Sequence, residues 1–314
     1  MARLLNNPLL LVVGLALVVA LLPLFLPSTF YVRVVALVFI NALAVLGLNL
    51  LMGFAGQVSL GHAGFFGIGA YAVAVGPTHL SMPAWLSLIC GTALAALVAF
   101  IVGRPILKLR GYYLAVATLG MGMLIAMVVS NEAQITGGPN GMPVPRLVLF
   151  GWRAAGPQVW YWISGVTLVI GVWIAINLIE SPTGRAFRAI HDSETAARVL
   201  GVNVARYKLI AFVLSAAYAA VAGSYFVLFD GFVTPETSSF LRSIEFVVMA
   251  VLGGLGSIFG SIVGAAILVL LPQFLTVFHD YEHIVLGAII IVFLIFLPAG
   301  IVPAASSFLR RRPA

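Results

Sequence analysis

Nine carboxylates, five histidines and one cysteine are the groups of this 314-residue chain best suited to acid–base or metal chemistry. They do not gather. No Ser/His/Asp set stands where nucleophile and base would meet, and no His/Cys cluster has metal-ligand spacing. A phosphate-cradling loop needs Gly-Lys-Ser/Thr, so that backbone amides and a lysine hold the phosphates. The only lysines, Lys108 and Lys208, follow Leu107 and Tyr207. The chain is therefore read as a non-enzyme without a cofactor or metal of its own. Any nucleotide it depends on is bound and hydrolysed by another chain.

The charges that do exist are concentrated. Residues 180–208 read ESPTGRAFRAIHDSETAARVLGVNVARYK and hold Arg185, Arg188, Arg198, Arg206 and Lys208 with Glu180, Asp192 and Glu194, in a chain only 8% charged. Long apolar stretches flank them. A connection of this length between spans usually has a task, and a compact basic one reads as a cytoplasmic docking element. Its design is that of two short helices. Ser181 can cap the first and Pro182 suits its first position. Ala186, Phe187 and Ile190 share an apolar face. Asp192-Ser193 can cap a second helix, Glu194 to Leu200, with Glu194 favourable against the helix dipole. Gly201 suits the left-handed position after it, and Asn203 could start the next helix. The plain alternative is a solvated helical hairpin with no special role.

Two Gly-rich segments carry the remaining polar candidates. The first contains Gln57, Ser59, Gly61, His62 and Gly64, and the second contains Gly253, Gly254 and Gly256. Small residues at three- and four-residue spacing let helix backbones approach closely in lipid. Broken helices are tolerated at depth where they face protein or a cavity. These residues are candidates for lining or gating a pathway; close-packed helix contacts are the competing reading. His62 could bind a substrate or titrate, or simply be a satisfied hydrogen-bonding group. Asn41 and Asn49 read as interhelical glue. Glu245 is expected near the external surface, paired with Arg242 three residues earlier. Two Gly-rich interruptions suggest an internal repeat. Both junctions, however, fall on the cytoplasmic side, where an inverted pair should lie on opposite sides.

The elements that must position these residues are apolar helices. The chain is 62% hydrophobic with a mean hydropathy of +1.17, whereas a soluble domain is near half apolar and a quarter charged. An all-α polytopic membrane protein follows, with a single transmembrane domain over 1–314. About ten segments are expected: 9–26, 34–52, 58–76, 85–103, 112–130, 159–179, 209–229, 243–256, 258–278 and 284–302. The first is read as a span, not a cleaved signal, being long enough to cross.

With the N-terminus inside, the cytoplasmic face collects twelve cations: Arg3, Arg104, Lys108, Arg110, the five between 180 and 208, and Arg310 to Arg312. The other face collects four, Arg33, Arg146, Arg153 and Arg242, and its turn His279-Asp280-Tyr281-Glu282 carries none. This asymmetry orients the chain with both termini in the cytoplasm. The net charge of +7 belongs to span ends and is not a nucleic-acid signal. The single Cys90 excludes an internal disulfide. Trp152, Trp160, Tyr161 and Trp162 read as an interfacial aromatic belt.

The stretch Glu194-Thr-Ala196-Ala197-Arg-Val-Leu-Gly201 resembles the E-A-A-x-x-x-G loop of ABC importer permeases, apart from the inserted Thr195. The whole run from Ser181 to Phe226 is similar to branched-chain amino-acid permeases. So are GQVSLGHAGFFGIGAYAVA, Thr136-Gly-Gly-Pro-Asn-Gly141 and VMAVLGGLGSIFGSIVGA, in the same order from Leu46 to Leu271. The resemblance is closest to the M-type permease subunit.

It implies an ABC importer permease fold in a bacterial inner membrane, and a substrate among hydrophobic amino acids. It also implies a second permease, two ATPase subunits that bind the ATP, and a periplasmic or extracellular solute-binding protein. Residues 180–208 would be the coupling loop, with Arg185, Arg188, Asp192, Glu194, Ala196, Ala197 and Gly201 in it. The external 131–157 loop either meets the binding protein or is an ordered re-entry loop. The rival reading is a secondary transporter or channel that works without ATP, which would need ion-coupling carboxylates inside the spans.

Overall fold

The structure, a computed structural model, describes residues 8–149, 152–275 and 282–310. Six helices in it are long and apolar enough to cross a membrane. They are α2 (Thr29–Asn49, extended by a wider π turn to Phe54), α4 (Ala84–Ile106), α5 (Tyr112–Asn131), α7 (Pro157–Glu180), α10 (Val204–Asp230) and α12 (Ile258–Leu275). Shorter or less apolar helices accompany them: α1 (Pro8–Phe25), α3 (His62–His79), the single turn α6 (Ala133–Thr136), α11 (Phe240–Gly253) and α13 (Glu282–Phe296). The fold is an all-helical membrane protein, with one addition to the expected all-α class. Two antiparallel pairs of two-residue strands tie the loops, β1 (Met142–Pro143) to β4 (Phe232–Val233) and β2 (Val148–Leu149) to β3 (Trp152–Arg153).

Helix α2 is the centre. It is apolar around its whole circumference, the pattern of a helix with no solvent face, and it is buried over nearly its whole length. α3, α7, α10, α11 and α12 pack around it or on one another, while α4 and α5 leave most of their surface open. Small residues set the closest approaches. A side chain on Gly223 would fall on the Phe66 carbonyl, and one on Gly69 on the Ala220 carbonyl, so α3 and α10 pack backbone to backbone.

Two helices begin inside the protein. The segment Gly56–Gly61 is non-helical, and α3 starts only at His62, four residues later than the expected 58. α11 starts at Phe240, after a strand and a 3-10 turn (Pro235–Ser238) that follow α10. The two N-termini meet where the Ala63 N–H donates to Ser243 Oγ at 3.0 Å. The chain enters α3 from the end where Gly56 lies against His191, and enters α11 from the opposite end, past Asp230. Gly254–Ser257, in contrast, is a turn between α11 and α12, not an interruption within a helix.

Two members of the expected aromatic belt lie in the core instead. Trp160 and Tyr161 are buried, the Tyr161 hydroxyl donating to the Val19 carbonyl at 2.7 Å; Trp162 is exposed. Trp160 is a core residue because it packs edge-on against Tyr225 and Phe229 of α10, and Tyr161 because α1 packs over its face of α7. Of the residues that orient the chain, Arg3, His279, Asp280, Tyr281, Arg311 and Arg312 lie outside the described residues.

Candidate functional site

The charged segment folds as a capped hairpin. α8 (Pro182–Asp192) opens with the Ser181 hydroxyl accepting the amides of Thr183 and Gly184 at 3.1 and 3.4 Å. α9 (Glu194–Val199) opens with Ser193 Oγ accepting the Ala196 amide at 3.2 Å. Asn203 Oδ1 accepts the Arg206 amide at the head of α10. Gly201 has φ +83°, and the next amide, Val202, reaches back to the Ala197 carbonyl at 3.0 Å. This reversal needs a left-handed residue.

Each coupling candidate now has a position. Arg185 and Arg188 donate to the Glu180 and Ile179 carbonyls at the end of α7, at 3.4 and 2.6 Å. They satisfy carbonyls that have no partner within the helix. Phe187 and Ile190 are buried beneath them, and Ala197 packs with Ile190 and Val204. Asp192 and Ala196 are exposed. The tip presents two apolar side chains, Val199 at 83% exposure and Leu200 at 79%.

Glu194 does not point outward with them. Its carboxylate is bonded to the Lys208 ammonium and lies 3.5 Å from Arg110. Lys208 is buried. Glu194 is the acid in a basic cleft of about 800 Å³ between the α4–α5 turn, with Arg104, Lys108 and Arg110, and the start of α10.

The Gly-rich candidates sit above this hairpin as packing contacts. Gln57, Ser59 and His62 are buried. Ser59 Oγ is 3.0 Å from His62 Nδ1, and His62 Nε2 bonds Ser215 on α10. A side chain on Gly61 would meet the Thr118 carbonyl; one on Gly64 would stand 2.9 Å from Ile125 Cδ1. On the other segment, Gly253 lies against the Gly260 carbonyl, while Gly254 and Gly256 have φ +117° and +75°.

Asn49 joins the two segments. Its Oδ1 accepts the Gly256 amide at 2.9 Å, and its Nδ2 donates to the Ser257 carbonyl and to Ser261 Oγ at 2.8 and 2.9 Å.

Glu245 is not near the external surface. It pairs with Arg242 at 2.7 Å, as the i, i+3 spacing suggests. Arg242 also donates to Asn41 Oδ1 at 2.7 Å, and Asn41 stands halfway along the Thr29–Phe54 span. α11 begins inside the protein, so a residue one turn into it is deep. The counting of Arg242 with the external cations fails for the same reason. The signal available in the sequence was Asn41, one polar residue at the middle of an apolar run.

Among the described residues no group of three His, Cys, Asp or Glu could hold a metal ion. The geometry offers docking and interior polar contacts.

A family model described as "Branched-chain amino acid transport system / permease component" matches residues 30–294. The chain is 35% identical over 303 residues to the permease protein LivM of the high-affinity branched-chain amino acid transport system of Escherichia coli K12, covering 89% of this chain and 71% of that one. It is 28% identical over 283 residues to the permease protein LivH of the corresponding Salmonella typhimurium system, covering 83% and 90%. To the autoinducer 2 import system permease protein LsrC of Photorhabdus laumondii it is 31% identical over 164 residues, covering 51% and 47%. No solved structure matches.

Proposed function

Because the chain belongs to the family of branched-chain amino acid transport permease components, we propose that it is a membrane-spanning subunit of an ATP-driven importer for branched-chain amino acids. It is a transport subunit and performs no covalent chemistry. A second permease of similar fold completes the pathway. Two ATPase subunits bind and hydrolyse the ATP, and an external binding protein delivers the solute.

One observation carries the coupling assignment. The hairpin from 180 to 208 ends in Val199 and Leu200, two apolar side chains almost wholly exposed beyond the spans. Burying both against a groove of the ATPase would contribute about 1.5–3 kcal/mol each. Arg185, Arg188, Ala197 and Gly201 build the hairpin, Glu194 anchors it, and Asp192 and Ala196 face the docking side. Both termini and the hairpin lie in the cytoplasm, as the cluster of cations at this end supports.

In the same reading α1, α3, α11 and α13 join the six long helices to give about ten membrane segments in one domain. α3 and α11, entered from opposite ends and meeting at their N-termini, are the counterparts of an inverted repeat. The close packing of Gly61, Gly64 and Gly253 makes the α3 and α11–α12 contacts rigid, so that motion of the hairpin reaches the interior through Gly56 and Asn49.

Purification of the chain from its native membrane tests this. The ATPase chains should come with it, and Val199→Ser with Leu200→Ser should release them while the permease remains inserted. An ATP-independent carrier would instead need a free interior carboxylate. Glu245 is interior but is neutralised by Arg242.

A further inference from the structure

An ion pair halfway across a membrane needs a reason. Arg242 and Glu245 sit at the depth of Asn41, where a charged side chain facing lipid costs about 2.5–3.5 kcal/mol. Yet the pair is not sealed. The Glu245 side chain is 47% exposed and that of Arg242 is 19%. Acyl chains are therefore not what this face meets.

Two cavities explain the exposure. One of about 520 Å³ opens beside Asp230, Thr234 and Glu236, at the end of the bundle opposite the hairpin. The other, of about 490 Å³, runs between α2, α11 and α12; its wall is mostly apolar, with Leu37, Val248, Leu268 and Pro272, and includes the amides of Asn41 and Gln273. Arg242 and Glu245 belong to the walls of both. The outer cavity carries hydroxyls and carboxylates beside Phe232 and Leu241, the inner one is mostly apolar, and the ion pair stands in the wall between them. Each volume lies within the range of small-ligand sites, roughly 300–1,000 Å³.

We propose that Arg242 and Glu245 form a subsite for the two charged ends of a zwitterionic amino acid, whose aliphatic side chain enters the mostly apolar inner chamber. The guanidinium can clamp a carboxylate through two parallel N–H donors. The Glu245 carboxylate accepts an ammonium. Without ligand the two groups satisfy one another, so the empty site leaves no uncompensated charge at depth. A ligand with the same pair of charges exchanges for that contact without changing the net charge. Asn41 Oδ1 and the ring faces of Phe66, Phe226 and Phe246, 4.9–5.4 Å from the guanidinium carbon, hold Arg242 in place during the exchange. The inference rests on the proposed transport of branched-chain amino acids and assigns this chain a share in recognising them.

The assembled transporter in proteoliposomes provides the test. A leucine analogue carrying a diazirine on its side chain is photolysed in the parent complex and the labelled peptides are mapped. Label should fall on residues 244–249 and 268–272. Glu245→Gln should lower leucine uptake roughly tenfold or more, the factor carried by one charge-assisted hydrogen bond of about 1.4 kcal/mol. Val248→Phe retains both charges and narrows the chamber, so it should lower the ratio of leucine to alanine uptake. Co-purification of the ATPase chains checks that each variant assembles. Leucine uptake by the parent with label confined to other segments, or with an unchanged uptake ratio in Val248→Phe, overturns the subsite alone. Absence of amino-acid uptake by the parent overturns the transport reading and the subsite with it.

Discussion

The Glu194 carboxylate is bonded to the buried ammonium of Lys208 across the reversal between α9 and α10. The acid at the start of α9 thus faces inward. It ties the exposed tip to the span behind it, and the side chains left open at the tip are Val199 and Leu200. Removing one member of such a pair strands a charge, whereas replacing both with apolar groups is often neutral.

Lys208→Met and Glu194→Gln should each destabilise the hairpin, by about 3 kcal/mol for the change that leaves Lys208 unpaired. The double variant should lose less than the two changes summed. Protease cleavage between 180 and 208 in membrane vesicles reads out the hairpin. Additive losses in the double variant would show that the pair is not coupled.

Gly201→Val should strain the reversal by roughly 1–2 kcal/mol, because φ at this position is +83°. Nothing lies within 4 Å of where a Cβ would stand, so the cost is chiefly conformational. Gly201→Asn, which tolerates the left-handed region, should be milder. Stimulated ATP hydrolysis by the assembled transporter should follow the order Gly, Asn, Val. Equal activity in all three would remove the reversal from the coupling path.

At the first Gly-rich segment the two glycines should differ. Gly61→Ala drives a methyl onto the Thr118 carbonyl, a rigid backbone atom, and should be severe. Gly64→Ala meets the end of the Ile125 side chain at 2.9 Å, which can move, and the Gly122 Cα at 3.2 Å, which needs a shift of a few tenths of an ångström, and should be milder than Gly61→Ala. Gly64→Leu exceeds that space and should cost about 1–3 kcal/mol of overpacking. Thermal unfolding in detergent ranks the three; a Gly64→Leu protein as stable as the parent would leave the close-packing argument without support.

Orientation is accessible to labelling. In a Cys90→Ala background, cysteines at the exposed Ser193 and Asn140 report opposite ends. An impermeant thiol reagent added to intact cells should modify Asn140→Cys and spare Ser193→Cys. The reverse pattern would invert the topology.

The hairpin and the apolar helices were legible in the chain. Caps, a proline at a first turn, a glycine at a reversal and unbroken hydrophobicity act over a few residues, so Ser181, Ser193, Gly201 and Asn203 announce their roles locally. The expected end of the second helix at Leu200 and the observed end at Val199 differ by one residue, the ordinary fraying of a last turn. The breaks at the Gly-rich segments were visible too, but not what they touch.

Tertiary structure alone decided depth and partners. Asn41 and Arg242 are 201 residues apart, and Asn49 reaches Gly256 across 207. No spacing rule encodes such pairs, because they arise from packing against α2 of helices that start inside the protein. Hydropathy reads α11 as a span and so assigns Glu245 to a surface. Folding instead carries the chain inward before α11 begins, and that displacement turns a peripheral carboxylate into an interior one. Trp160 and Tyr161 changed role for a related reason: periodicity marks an aromatic near a span end, but only the neighbouring helices, α10 for Trp160 and α1 for Tyr161, decide whether it meets lipid or core.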